Sequence, residues 1–317
     1  MRSSRRTAIL AGLGLLLCGG WIPAPAGTVI QVRNPTGQDW AEAPVAVPWT
    51  PEMEAEWNAG RQVLGDDRPV EFQRDDLNGD GKVDELALLV GLKAGQTREL
   101  KFSPGDYRAP AARAAALMSL KGFDGPAWES DLTAYRIYWN ADNAMDIFGK
   151  TRPRLSLAGW ATPGVPHNVE NEYGLDVLKV GRSIGIGGFG AWIDGRIHKV
   201  SNVMKTHHIR VDGPIRAVVD LEYVHWQPGP FPDLSREPIT SRDAPHYDLQ
   251  VRMTIWAGQR WGEADITVRP HADSPMPEMV TGLPRHKDTA LIQDPAAGIL
   301  GRWGRQALGD HDAPGAG

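Results

Sequence analysis

Arg136 and Tyr138 stand two residues apart in the run AWESDLTAYRIYWN, residues 127–140. Residues two apart in a β-strand project from the same face. A guanidinium shaped to grip a carboxylate would therefore lie beside a phenol able to exchange a proton. Alternation along one unbroken strand adds Trp128 and Leu132 to that face and sends Glu129, Asp131, Tyr135 and Trp139 to the other. A solvated strand with amphipathic aromatics fits the same pattern, and both readings stand at this point. Further on, His167, Glu170, Glu172, Tyr173, Asp176 and Lys179 crowd a segment that runs into Gly181, Gly185, Gly187 and Gly188. Such glycines permit tight bends and close backbone approach. Titratable groups beside a bend of this kind form a site candidate, against the plainer reading of an irregular surface loop. The run GIGGFG has no strand-turn-helix setting and is not a dinucleotide fingerprint. Arg285, His286 and Lys287 in GLPRHKD suit an anionic ligand or a solvated basic turn. Adjacent His207 and His208 point to opposite faces of a strand and cannot easily share an ion. Trp226, Trp256, Trp261 and Trp303 either fill the core or stack on sugar faces.

A different chemistry is suggested by RDDLNGDGKVDELALLV, residues 74–90. Asp76, Asn78, Asp80 and Asp84 fall at positions 1, 3, 5 and 9 of a D-x-N-x-D-G loop, with Gly81 at the turn and the Lys82 carbonyl at position 7. Oxygen ligands at alternate positions are what calcium requires. An EF-hand would place Glu at position 12, where this chain has Ala87, and the ELALLV around it reads as a strand. The expectation is a structural calcium loop in a β-hairpin, with a metal-free Asx turn as the alternative. No cofactor is expected for catalysis.

The elements that hold these groups follow from alternation, which dominates the chain while helical periodicity is scarce. TVIQVRN, VEFQR, DELALLV and TRELKFS are short strands between turn-forming residues, and they place a small β-sandwich at residues 27–107. APAARAAALM reads as a connector with at most one helical turn. Residues 118–317 carry longer strands of a large antiparallel β-sandwich, among them GPIRAVVDLEYVHW, HYDLQVRMTIWAG and GEADITVRP. AWIDGRIHKV is a hairpin turning at Asp194-Gly195, and RPRLSLAGWA stays open between helix and loop. The end dissolves into Gly, Ala, Pro and Asp, so a closing strand or two is expected to be missing. MRSSRR followed by TAILAGLGLLL and Ala24-Pro25-Ala26 is an export signal over residues 1–26, which predicts a periplasmic or secreted protein. A twin-arginine or lipoprotein version of that signal is a weaker reading. Cys18 is the sole cysteine, so the mature chain has no thiolate chemistry. A net charge of -5 with both signs interspersed argues against nucleic acid as partner, and no later segment reads as a membrane span.

The runs WESDLTAYRIY, YGLDVLKVGRSIGIGG, DGPIRAVVDLEY and TGLPRH together resemble the bacterial domain-of-unknown-function family 4861, over most of the chain. The family pattern has Tyr where this chain has Pro166 and Lys where it has Arg285. The resemblance implies an all-β fold, a small Ig-like β-sandwich followed by a large supersandwich of galactose-mutarotase type. It also implies a place in polysaccharide degradation, with an ulvan-type oligosaccharide dehydratase as the expected activity. Its substrate would be an acidic, uronate-ended oligosaccharide, giving a 4,5-unsaturated uronate. In that reading Arg136, Lys179 and Arg285 neutralise the uronate carboxylate, and His167 and Tyr138 serve as base and acid, with His286 as alternate. Trp128, Glu129, Tyr173, Asp176 and Trp303 are the expected substrate contacts. A non-catalytic acidic-glycan-binding protein, or a glycoside hydrolase using Glu129, Glu172 and Asp176, are the rival expectations.

Overall fold

The computed structural model describes residues 28–201, 203–229, 245–271 and 273–304. The expected export signal lies outside these residues, as does the tail from residue 305. The chain divides into two compact units, one ending at Ala111 and the other beginning at Ala112. Among the described residues the fold is nearly all β, built of antiparallel sheets.

The first unit has β1 (Val29–Arg33), β2 (Trp40–Pro48), β3 (Arg61–Gly65), β4 (Arg68–Pro69), β5 (Phe72–Asp75), β6 (Glu85–Leu92) and β7 (Thr97–Pro104), with period-two burial in β1, β2 and β7 and a β6 buried on both faces. They form two sheets, ordered β1-β7-β3-β4 and β2-β6-β5. Ile30, Val63, Leu100 and Phe102 from one sheet meet Val47, Phe72, Leu88 and Val90 from the other in one core. A helix, α1 (Pro51–Asn58), lies between β2 and β3 and adds Met53 to it. Thr50 caps that helix by accepting the Met53 N–H at 3.3 Å, and Pro51 begins it.

The second unit opens with β8 (Ala114–Ser119), inside the stretch read as a connector. Its alternate alanines, Ala114 and Ala116, are buried in the main core, so the Ala-rich run is a strand selected by tight packing. With β9 (Gly125–Ser130), β10 (Thr133–Ile137), β11 (Met145–Lys150) and β12 (Gly174–Asp176) it makes a sheet ordered β12-β11-β10-β9-β8. WESDLTAYRIYWN is thus a hairpin, not one strand. Ser130 Oγ accepts the N–H groups of Leu132 and Thr133 at 3.0 and 3.3 Å, turning the chain in two residues. The pairing becomes Trp128↔Tyr135 and Ala127↔Arg136. RPRLSLAGWA contains a short helix, α2 (Leu157–Trp160).

A hairpin, β13 (Phe189–Ile193) and β14 (Arg196–Lys199), turns at Asp194 and Gly195, both at positive φ as a type I′ turn needs. The long strands β15 (Met204–Asp212), β16 (Arg216–Trp226), β17 (Tyr247–Trp256) and β18 (Gly262–Pro270) form a second large sheet in that order. β19 (Met279–Thr281) pairs with β13, and β20 (Thr289–Asp294) and β21 (Ile299–Gly304) make a separate ribbon. Trp128, Tyr135 and Ile137 from the first large sheet pack on Val219, Leu221, Val251 and Met253 from the second. On the opposite face of the first sheet, Ala127, Ala134 and Phe148 are covered by Leu157 and Trp160 of α2. The candidate chemistry lies on that covered face.

Candidate functional site

Arg136 on β10 stands directly across from Asp146 on β11, and Phe148, two residues along β11, stands across from Asp176 on β12. Cross-strand pairing and period two therefore place Arg136, Asp146, Asp176 and Tyr138 on one face within reach of each other. Arg136 Nη2 donates to Asp146 Oδ2 at 2.9 Å, to the Tyr138 hydroxyl at 3.1 Å and to Asp176 Oδ2 at 3.4 Å. Its Nε also points at Asp146, and Nη1 donates to the Phe123 carbonyl at 2.6 Å. Tyr138 donates its own proton to Asp146 Oδ2 at 3.1 Å. The inner part of the network is buried, with Arg136 only 3% exposed and Asp146 fully buried.

His167 enters from the loop between α2 and β12, where its carbonyl accepts the Asp176 N–H at 2.7 Å. Its Nε2 lies 3.3 Å from Arg136 Nη1. An arginine can only donate, so Nε2 is the acceptor and the ring carries its proton on Nδ1. Burial, followed by the Arg136 charge, lowers the His167 pKa and keeps the imidazole neutral at pH 7. Asp176 goes the other way: burial and then the Asp146 carboxylate push it up to about 8, so it holds a proton at neutral pH. Burial, reinforced by Asp146, also raises the Tyr138 phenol and keeps it protonated.

These groups open onto a cleft of about 230 Å³ lined by Arg136, Tyr138, His167, Asp176 and Lys179. The Gly-rich bend after Lys179 is pinned against β11, where Gly185 packs so closely on the Met145 carbonyl that no Cβ would fit. A second pocket of about 620 Å³ adjoins it, lined by Arg182, Trp192, Arg196 and Lys199. Asp142, at the rim of the first, is ion-paired to Lys199 in the second.

A family model described as a domain of unknown function, DUF4861, matches residues 32–317. The chain belongs to the DUF4861 family. Its members' model runs through both compact units, so this cleft is one part of a two-unit DUF4861 chain. No curated protein sequence matches. Among solved structures, an α-mannosidase from Enterococcus faecalis V583 is similar at 12% identity and a TM-score of 0.40, over 76% of this chain and 29% of that one. A glycosyl hydrolase family 38 protein from Enterococcus faecalis is similar at 11% identity and 0.38, over 76% and 31%. The DUF4861 chain spans less than a third of either neighbour.

Of the residues singled out in the DUF4861 sequence, the fold gathers Arg136, Tyr138, His167, Asp176 and Lys179. It separates the others. Trp128 points through the sheet into the main core, stacked on Tyr135, because the Ser130 turn puts it on the face opposite Arg136. Glu129 shares the Arg136 face but is sealed against Lys150, accepting the Ser156 and Leu157 N–H groups at the start of α2. Tyr173 packs on Trp160 beneath Arg154. Arg285 and His286 lie on the connector before β20 and do not line the cleft, and Trp303 is 78% exposed on the β20–β21 ribbon. Asp146, the anchor of the network, went unnoticed in the sequence. A lone carboxylate inside the apolar run AMDIFG was the available signal.

In the first unit, the loop between β5 and β6 is held by its own carboxylates. Asp76 accepts the Gly79 and Gly81 N–H groups at 2.6 and 2.7 Å. Asn78 accepts from Asp80, and Asp80 from Lys82, whose carbonyl is the position-7 candidate. Asp84 closes the loop on Leu77 at 2.7 Å. These are stacked Asx turns, in which the loop's own N–H groups occupy its carboxylate oxygens.

Proposed function

We propose that the cleft binds a uronate-bearing oligosaccharide and eliminates water from it, leaving a 4,5-unsaturated uronate. The observation that carries the reading is a neutral imidazole, His167, beside a carboxyl that keeps its proton at pH 7, Asp176. Groups whose surroundings drive their pKa values apart make an acid and base pair. In the proposed step His167 takes the C5 proton and Asp176 gives its proton to the C4 hydroxyl. That hydroxyl leaves as water, and the C4–C5 double bond forms. Proton return from His167 to Asp176 through solvent resets the site. Lys179 faces the substrate carboxylate and stabilises the enolate that develops, while Tyr138, its proton held by Asp146, shapes the wall of the cleft. His167 must turn from Arg136 to act, a loosening common between free and substrate-bound sites. Trp192 and the cations Arg182 and Arg196 in the adjoining pocket suit the next sugar residues.

Arg136 is a positioning residue here, since Asp146, Asp176, Tyr138, His167 and the Phe123 carbonyl take up all five of its N–H groups. Hydrolysis is less well supported. Asp146 and Asp176 are in side-chain hydrogen-bond contact, nearer than the roughly 5 Å or more that glycosidase carboxylates keep. Glu129 is sealed and Glu172 exposed. An exported location, periplasmic or secreted, belongs to the same proposal.

The test is a panel of acidic oligosaccharides followed by ultraviolet absorbance of the conjugated uronate and by mass. New absorbance with the mass lowered by one water supports elimination. Cleavage without absorbance, or binding without any product, overturns it. His167→Ala and Asp176→Asn should each lower turnover by about 10²–10⁴-fold.

A further inference from the structure

At one corner of the β15–β18 sheet, away from the cleft, further titratable side chains meet. His246 and Asp248 flank Tyr247 at the head of β17, and Tyr247 is buried in the core, so both point to the opposite, outer face. His271 follows β18, and its N–H donates to the His246 carbonyl at 3.0 Å. His225 lies in the register break between Tyr223 and Trp226 on β16, at φ 58°. That left-handed backbone is uncommon for a non-glycine residue and re-aims the side chain out of the strand's alternation. Asp248 Oδ1 accepts the His225 N–H at 2.9 Å and holds the bulge in place.

The geometry points to a binding site for one divalent transition-metal ion, zinc by its chemistry, held by His225, Asp248 and His271. One ligand atom from each lies within 4.8 Å of the others. Asp248 Oδ2 stands 2.8 Å from His271 Nε2, yet that nitrogen has no aligned hydrogen-bond partner. Two donor atoms this close and unaligned are placed as neighbouring ligands of one ion are. With Oδ1 committed to His225, Asp248 offers a single oxygen. The His225 and His271 rings meet at 85°, so their in-plane lone pairs can converge. Zinc bonds of about 2.0–2.2 Å set tetrahedral ligands roughly 3.3 Å apart, which side-chain rotation reaches. Two imidazoles and one carboxylate favour zinc over calcium, which takes oxygen ligands. His246 stacks face to face on His271 at 4.7 Å and 16°; parallel rings do not aim at one ion, so His246 orients the ligand. The exposed edge at His225 leaves a fourth position for water. The ion ties the β16 bulge, the head of β17 and the end of β18 into one clip.

The test uses the full chain, stripped with chelator and titrated calorimetrically with Zn²⁺ alone, with Co²⁺ absorption as a second readout. About one ion per chain should bind, with a tetrahedral cobalt spectrum. His271→Ala and Asp248→Asn should weaken binding about tenfold or more, while the double variant His207→Ala, His208→Ala should bind as the parent does. His225→Asn, at an exposed position and with a residue that tolerates positive φ, keeps the test decisive if the others misfold. No uptake of Zn²⁺ by the parent, or unchanged affinity in His225→Asn, overturns the site.

Discussion

Arg136 has five N–H groups and a partner for each, which makes it the residue on which the cleft depends for its shape. Arg136→Met would leave Asp146 buried with no counter-charge, and a loss of about 3–5 kcal/mol in denaturant unfolding is expected. Asp176 gives a pH signature. Its folded pKa, about 8, lies above its ordinary carboxylate value, so the native state binds more protons than the unfolded one between those limits. The stability it contributes is complete below pH 4 and is lost as pH rises through 8. Parent and Asp176→Asn stabilities, compared from pH 4 to 9, should converge toward acid and separate toward alkali, with the parent the steeper. Parallel curves would contradict a protonated Asp176. Spacing two was enough to put Arg136 beside Tyr138 from the sequence alone. Asp146 was not legible because its partner is set by strand pairing, which no local pattern encodes.

Single elements carry their own accounts. Glu129 joins β9 to Lys150 on β11 and to the first amides of α2. Glu129→Ala should cost about 3–5 kcal/mol, because Lys150 is left charged and buried. Adding Lys150→Met should recover part of that loss, leaving the two orphaned N–H groups, as a double-mutant cycle in urea would measure. Glu129 was legible as an unusual strand carboxylate, but not as a structural one, since α2 comes 28 residues later. The β5–β6 loop is the opposite case, complete in one stretch of sequence. We expect calcium to raise the melting temperature of the first unit and to leave the cleft's turnover unchanged. Chelation that abolished turnover without a shift in melting would refute that.

Among the described residues each unit has a main apolar core of its own, and the second adds smaller clusters such as that under α2. Calorimetry should therefore resolve two transitions. Val63→Ala should lower one and Val219→Ala the other, each by about 1–3 kcal/mol for lost burial and a cavity. The all-β architecture was readable because alternation is a local signal. The start of the second unit was misread because alanine reads as a spacer until an opposing sheet makes small size an advantage, as at Ala114 and Ala116. The two-residue turn after Ser130 has a further consequence. It sets the reading frame of the sheet: deleting one residue there would carry Tyr135 and Ile137 to the cleft side and press Arg136 into the hydrocarbon interior. A length change at this turn should thus inactivate the protein more completely than replacement of any one residue in the cleft.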